Sequence, residues 1–226
     1  FTGRSALTRT NQTECTFALY EGDSTYGEII ITDDSAGTKP FYFKITGSGA
    51  LSGRTYFAKD ITISSSVTAK ICVIHDKHLV VAGDTTNPNT IYYSGTSDID
   101  DFTTSGSGTI ALDDKVVGLQ SFRDDLIIFC QNSIYKLENI NNSSTIVVTP
   151  ITQNVGCLSS HSIQEIGGDL VFLSPDGIRT LAATARIDDV ELSSVSRQIQ
   201  SIINIIADGI DSYKVTSIVL RRKSQY

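Results

Sequence analysis

The amino-acid sequence predicts an all-β protein, a β-propeller-like fold of four to five antiparallel blades with one helix near the C-terminus. The first observation is a recurring strand–turn–strand pattern: EIIIT…PFYFK at 28–44, HLVVA…TIYYS at 78–94, DLIIF…SIYKL at 125–137 and DLVFL…GIRTL at 169–181. The second is its spacing, because the first apolar residues of the copies lie 50, 47 and 44 residues apart (Ile29, Leu79, Leu126 and Leu170). Propeller blades repeat at roughly 40–50 residues.

The third observation is the choice of residues. Ile, Val, Thr, Tyr and Phe fill the apolar runs, and Gly, Ser, Asn and Asp fill the gaps, as in strands joined by turns. Runs such as LIIF and LVFL are apolar on both faces, which suits a middle strand lying between two neighbouring sheets. A β-sandwich with fortuitous spacing is the alternative fold.

Each copy is predicted to contain at least three antiparallel strands. An apolar segment precedes each anchor, at 17–20, 71–74, 116–122 and 162–166, and Gly167-Gly168 is a hairpin turn before Asp169. The predicted blades span about 15–53, 54–109, 110–150 and 151–186, followed by a helix and an incomplete blade at 187–226. We expect residues 1–226 to form a single propeller domain.

The C-terminal part departs from the repeat. In 192–207 (LSSVSRQIQSIINIIA), Ile199, Ile202, Ile203 and Ile206 form one apolar stripe at helical spacing. Val215 is the expected fifth anchor, which would leave the last blade incomplete at Tyr226. Together with the lack of an initiating Met, this predicts a fragment of a larger protein.

Charge and cysteine content narrow the function classes. The net charge of −7 and pI near 4.9 disfavour a basic nucleic-acid-binding face. No apolar run approaches the roughly 18 residues that span a bilayer. Four cysteines (Cys15, Cys72, Cys130 and Cys157) form no CxxC pair, so we interpret them as small core residues and reduced thiols.

The sequence predicts no catalytic residue, no cofactor-binding residue and no metal site. For His75, His78 and His161 we expect a solvated or capping role, because no third ligand stands at metal spacing. Five aspartate pairs begin at Asp33, Asp100, Asp113, Asp124 and Asp188, and we interpret them as turn residues. The alternative is a glycosidase, which would need convergent carboxylates; Asp101 and Asp125 would be the residues to mutate.

Six sequence segments, taken in their order along the chain, resemble those of a known protein family. The strings are NPNTIYYSGTSDIDDF (87–102), LQSFRDDLIIFCQNSIYKL (119–137), NVGCLSSHSI (154–163), GGDLVFLSPDGIRTL (167–181), ELSS (191–194) and VTSIVLRRKSQY (215–226). Over roughly 67–226 the chain resembles the tail nozzle proteins of short-tailed bacteriophages, also called tail tubular protein B-like or virion stabilisation proteins. The chain is shorter than members of that family, lacks a start and stops inside a blade.

The resemblance implies a structural, non-enzymatic role in the virion. The expected partners are copies of the same chain in a ring, the phage adaptor and portal, and tail fibre proteins. DNA would be only passing cargo of the ejection channel, and no membrane insertion is expected. Assembly would occur in the bacterial host cytoplasm. Two alternatives stay open: a propeller that binds or cleaves glycans, and a cellular interaction scaffold.

Overall fold

The strands form four separate antiparallel sheets in a computed structural model that describes residues 15–21, 28–33, 39–46, 53–64, 67–182, 200–209 and 215–219. The first sheet contains β1 (Cys15–Tyr20), β2 (Glu28–Asp33), β3 (Phe41–Thr46) and β4 (Thr55–Asp60); the second, β5 (Ile71–His75), β6 (His78–Ala82), β7 (Thr90–Tyr93) and β8 (Gly108–Ala111). The third contains β9 (Val116–Phe122), β10 (Asp125–Cys130), β11 (Ile134–Glu138) and β12 (Val147–Thr152); the fourth, β13 (Gln164–Ile166), β14 (Asp169–Ser174) and β15 (Gly177–Thr180). In every sheet the strands follow chain order, which confirms the all-β, propeller-like prediction.

Tight hairpins join the first and second strands of the later sheets. Gly167 and Gly168 connect β13 to β14 with φ of 62° and 80°, as a type I′ turn requires, so the predicted turn is confirmed. Asp76 and Lys77 make the equivalent connection in the second sheet with φ of 46° and 65°, although neither is glycine. These turns hold the strands in a fixed register.

The second strand of the second and third sheets lies between two neighbouring sheets. In β6, Leu79 and Val81 pack toward the first sheet, whereas Val80 and Ala82 pack toward the third. Alternate side chains of a strand point to opposite faces, so both faces must be apolar when both are covered. This confirms the interpretation of the two-sided apolar runs.

The same alternation continues in the third sheet. Leu126 and Ile128 of β10 join the cluster shared with the second sheet, and Ile127 and Phe129 join the cluster shared with the fourth. Every residue of the runs LIIF (126–129) and LVFL (170–173) is buried except Val171, which is half-buried.

The division of strands between sheets differs from the predicted blade boundaries. The sequence assigns residues from 54 onward to the second blade, but β4 (Thr55–Asp60) pairs with β3 at the edge of the first sheet. Likewise β8 (Gly108–Ala111) belongs to the second sheet, although the predicted boundary falls at 109. An edge strand has the same alternating pattern whichever sheet it joins. Only its backbone pairing shows which sheet it belongs to.

The C-terminal helix is present, and its described part is shorter than predicted. Helix α1 (Gln200–Asp208) buries Ile203, whereas Ile202, assigned to the apolar stripe, is 55 % exposed. Residues 183–199, including Ile199 and the predicted start of the helix, lie outside the described residues.

The expected fifth anchor, Val215, is not in a strand. Residues 215–219 instead run beside the segment that leads into β13, where the Ser217 amide donates to the His161 carbonyl at 3.0 Å. The rest of the predicted fifth blade lies outside the described residues.

Candidate functional site

The first strands of the first three sheets lie side by side around a cleft. Strand β5 contacts β1 on one side and β9 on the other, as the innermost strands of successive propeller blades do. Two adjoining pockets of about 440 and 520 Å³ follow this cleft and share Thr16, Ile71, Ser160 and His161. We call this region the axial cleft.

A hydroxyl-centred network fixes β1 against β5. The hydroxyl oxygens of Thr16 and Thr32 lie 2.5 Å apart. The Cys72 amide donates to Thr16 Oγ1 at 3.1 Å, and Thr32 Oγ1 donates to the Lys70 carbonyl at 2.8 Å. The first two sheets are therefore held in register by hydrogen bonds at the wall of the axial cleft as well as by apolar packing.

Asp84 lies at one end of the axial cleft and stabilises the adjacent backbone through hydrogen bonds. One carboxylate oxygen accepts from the Thr68 amide at 3.1 Å, and the other accepts from the Asn87 amide at 3.0 Å. Burial works to raise the pKa of Asp84, but these hydrogen bonds to the charged form hold it below its usual value. Asp84 thus anchors the loop between β6 and β7.

The first sheet presents an apolar face that is open. Phe17, Leu19 and Ile29 are 77 %, 56 % and 45 % exposed, and Phe17 and Leu19 also line the axial cleft. Strand register places all three on one face, because Leu19 lies opposite Ile29, and Phe17 is two residues before Leu19. We call these three residues the open face.

The open face occupies a position that is covered in the other three sheets. Ile29 is the repeat equivalent of Leu79, Leu126 and Leu170, each of which is 0 % exposed and packs toward the preceding sheet. Ile30, the next residue, packs toward the second sheet. The first sheet therefore has a middle strand built for two neighbours, and among the described residues only one of its faces is covered.

The histidines differ from their predicted roles. His75 and His78 are 3 % and 0 % exposed, so the expectation of a solvated role is wrong for both. His75 Nδ1 lies 2.9 Å from Ser121 Oγ, and His78 Nε2 lies 2.9 Å from Asn141 Oδ1. Both contacts join the second sheet to the third. The sequence could not indicate this, since the partners are 46 and 63 residues away.

His161 lies elsewhere, at the axial cleft. It is half-buried in the 3-10 turn Ser160–Ser162, and its carbonyl accepts from Ser217. Across the residues that the structure describes, no cluster of three or more His, Cys, Asp or Glu side chains is arranged to hold a metal ion.

Several aspartates are turn residues, as predicted. Asp101 Oδ1 accepts from the Thr103 amide at 2.7 Å and the Thr104 amide at 3.2 Å, and these bonds hold the pKa of Asp101 below its usual value. Asp125, the other residue considered for glycoside cleavage, lies 3.8 Å from Lys136 Nζ. Asp34, Asp188 and Asp189 lie outside the described residues.

Asp100 departs from the turn interpretation. Its Oδ2 lies 2.6 Å from Lys59 Nζ and accepts from the Tyr42 hydroxyl at 3.3 Å. Both partners belong to the first sheet, so this carboxylate bridges two sheets rather than closing a turn. The aspartate pattern alone contains no signal for such a long-range contact.

All four cysteines remain thiols rather than disulfides, and Cys72, Cys130 and Cys157 are buried. Burial raises the pKa of the Cys130 thiol to about 12, with a further contribution from the Asp114 charge. Burial likewise raises the pKa of Cys157 to about 11. These values describe unreactive core side chains, in agreement with the sequence interpretation.

Comparisons with known proteins leave the chain without a family assignment: neither the protein-family models nor the curated protein sequences contain a match. No helix in the described part of the chain is long and apolar enough to cross a membrane.

Proposed function

We propose that this chain is a structural component of the tail of a short-tailed bacteriophage, in the nozzle or tail-tube ring below the portal and adaptor. The observation that carries the proposal is the open face, formed by Phe17, Leu19 and Ile29. A sheet that leaves an apolar face uncovered favours association with another sheet or another chain. Such a chain is better suited to an assembly than to acting alone.

The ordered strings between 87 and 226 supply the phage-specific part of the proposal. They resemble tail nozzle proteins in order along the chain, and the strings at 87–102, 119–137 and 167–181 contain strands of three successive sheets. The partners proposed from this resemblance are copies of the same chain in a ring, the adaptor and portal, and tail fibre proteins. The location proposed is the virion.

The negative charge is compatible with a channel wall for DNA. A net charge of −7 repels the phosphate backbone, so DNA in contact with such a wall would slide rather than bind. DNA is accordingly proposed as passing cargo of the ejection channel.

The proposal includes no catalytic step. The two carboxylates considered for glycoside cleavage are each engaged locally, Asp101 with Thr103 and Asp125 near Lys136. An acid and a base for glycoside hydrolysis need instead to face one substrate across a shared cleft.

The decisive experiment is the location of the chain in virus particles. The genes that flank its coding sequence should encode portal, adaptor and capsid proteins. Mass spectrometry of the corresponding purified virions should detect its peptides, and gold-labelled antibodies should bind at the tail. Flanking genes of metabolism, or virions that contain no peptide of this chain, would overturn the proposal.

A further inference from the structure

A small polar pocket lies between the first two sheets, apart from the axial cleft. It has a volume of about 220 Å³ and is lined by Tyr20, Glu28, Tyr42 and Lys44 of the first sheet and by Asp98 and Asp100 of the β7–β8 loop. We call it the inter-sheet pocket. Strand register explains the first wall, because Tyr20 lies opposite Glu28 and Glu28 lies opposite Lys44. The proposed assembly role uses none of these side chains.

Two ion pairs neutralise most of the charge of this pocket. Lys44 Nζ lies 2.5 Å from Glu28 Oε1, and the Glu28 side chain is only 8 % exposed. Lys59 Nζ lies 2.6 Å from Asp100 Oδ2. An anionic ligand would meet three carboxyl groups, and a cationic ligand would have to compete with two lysines already in place. The pocket therefore favours a ligand without charge.

The paired groups keep unused hydrogen-bonding capacity. A carboxylate offers about four acceptor sites, and an ammonium group offers three donors, so one ion pair leaves most of them available. Glu28 and Lys44 thus present acceptors and donors side by side on the floor of the pocket. A hydroxyl group both donates and accepts, and adjacent hydroxyls on one ring match such an alternating array.

Asp98 and Asp100 form the second wall, and their pKa values are shifted in opposite directions. Burial, and then the hydrogen bond to Asp100, raises the pKa of Asp98 above its usual value. Burial also acts to raise the pKa of Asp100, but the hydrogen bonds from Lys59 and Asp98 hold it below its usual value. One carboxyl is thus biased toward donating a hydrogen bond and its neighbour toward accepting one.

The tyrosines border this pocket without offering it an aromatic face. Tyr20 and Tyr42 are both about 90 % buried, and their rings belong to the core between the first two sheets. Tyr42 places its hydroxyl 3.3 Å from Asp100 Oδ2, so the wall of the pocket is mainly polar. A wall of hydroxyl, carboxyl and ammonium groups suits a ligand rich in hydroxyls.

We propose that the inter-sheet pocket binds one uncharged sugar residue of a glycan, with Glu28, Lys44, Asp98 and Asp100 contacting its hydroxyls. This site is separate from the open face and the axial cleft. It does not depend on the proposed assembly role, since a structural tail component and a cellular scaffold could each carry it.

The test is saturation-transfer NMR and titration calorimetry on the full chain, with methyl glycosides of glucose, galactose, mannose and N-acetylglucosamine as probes. At least one should bind at millimolar concentration. Asp98→Ala should weaken that binding by about tenfold or more, because it removes a carboxyl group that bonds to the sugar hydroxyls. Tyr42→Phe, which removes the hydroxyl bonded to Asp100 but keeps the ring, should weaken binding less.

The matched control is Asp113→Ala, at an exposed aspartate outside the pocket, which should bind the sugar as the wild type does. Unchanged thermal unfolding of each variant would exclude a general loss of fold. The proposal is overturned if none of the four glycosides binds, if Asp98→Ala binds as tightly as wild type, or if a simple amine such as lysine methyl ester displaces the sugar by occupying the pocket itself.

Discussion

The Phe129 ring of the third sheet packs against the Phe172 ring of the fourth, with centroids 5.1 Å apart and ring planes inclined by 58°. Both side chains are fully buried. An aromatic pair of this kind contributes roughly 0.5–1.5 kcal/mol beyond the burial of its area. The contact ties together two middle strands, β10 and β14, so the interface between these sheets is part of the core.

Truncating a side chain at this interface should destabilise the fold strongly. Leu170 is 0 % exposed and packs in the same cluster as Phe172. Leu170→Ala should lower the free energy of unfolding by about 2–5 kcal/mol, because it removes buried methyl groups and leaves a cavity. Urea denaturation followed by circular dichroism measures the change.

The matched control lies on the neighbouring strand. Ile166 of β13 is 48 % exposed, so Ile166→Ala should change the free energy of unfolding by less than about 1 kcal/mol. A loss at Leu170 as small as that at Ile166 would mean that β14 is an edge strand, and the interface described above would be wrong.

The middle strands were the most predictable part of the fold. A strand covered on both faces must be apolar at consecutive positions, and Leu126 to Phe129 show this directly in the sequence. The hairpin at Gly167 and Gly168 was predictable because only a few residues adopt positive φ readily.

The remaining features depend on contacts between distant residues. The assignment of β4 to the first sheet follows from its pairing with β3, and the burial of His75 follows from its contact with Ser121 in another sheet. The local sequence pattern indicates neither the pairing of β4 with β3 nor the contact between His75 and Ser121. The inter-sheet pocket was unpredictable for the same reason, since Tyr42 and Asp100 are 58 residues apart.

One aspartate of an adjacent pair should matter far more than the other. Asp114 Oδ2 accepts from the Asn132 amide at 2.6 Å and from the Ser133 hydroxyl at 2.9 Å, which joins the start of the third sheet to its β10–β11 turn. Asp114→Ala should therefore cost about 1–3 kcal/mol of stability. Asp113 is exposed, and Asp113→Ala should stay within about 0.5 kcal/mol of wild type. Equal effects of the two substitutions in urea denaturation would contradict this assignment.

Stability should fall in mildly acidic solution because of His75. Burial lowers the pKa of this histidine below its usual 6.5, against the opposing charges of Asp76 and Asp125. As pH falls through about 6.5, the unfolded chain takes up a proton that the folded chain resists. The free energy of unfolding should consequently decrease until the folded ring is protonated as well.

The control for this effect is His75→Gln, which keeps a polar side chain but does not titrate. Its stability should depend less on pH between about pH 7 and pH 5 than that of the wild type. Urea denaturation at several pH values gives both slopes. Identical slopes for the two proteins would show that His75 does not contribute to the pH dependence.

The buried thiols should react only after unfolding. The raised pKa values of Cys72, Cys130 and Cys157 keep them protonated at neutral pH, and burial excludes reagents. Iodoacetamide should label these three in urea but not in native buffer, whereas the half-buried Cys15 should be labelled first. Peptide mapping by mass spectrometry distinguishes the sites. Rapid native labelling of Cys130 would contradict the packing of β10.

The central claim is that the open face is a contact surface for another sheet, and self-association of the isolated chain tests it most directly. Sedimentation velocity should show the wild type associating as concentration rises, whereas Phe17→Ser combined with Leu19→Ser should stay monomeric with unchanged thermal unfolding. A control pair, Ile202→Ser with Ile205→Ser on helix α1, removes similarly exposed apolar side chains and should associate as the wild type does. A wild-type chain that remains a stable monomer at every concentration would contradict the claim.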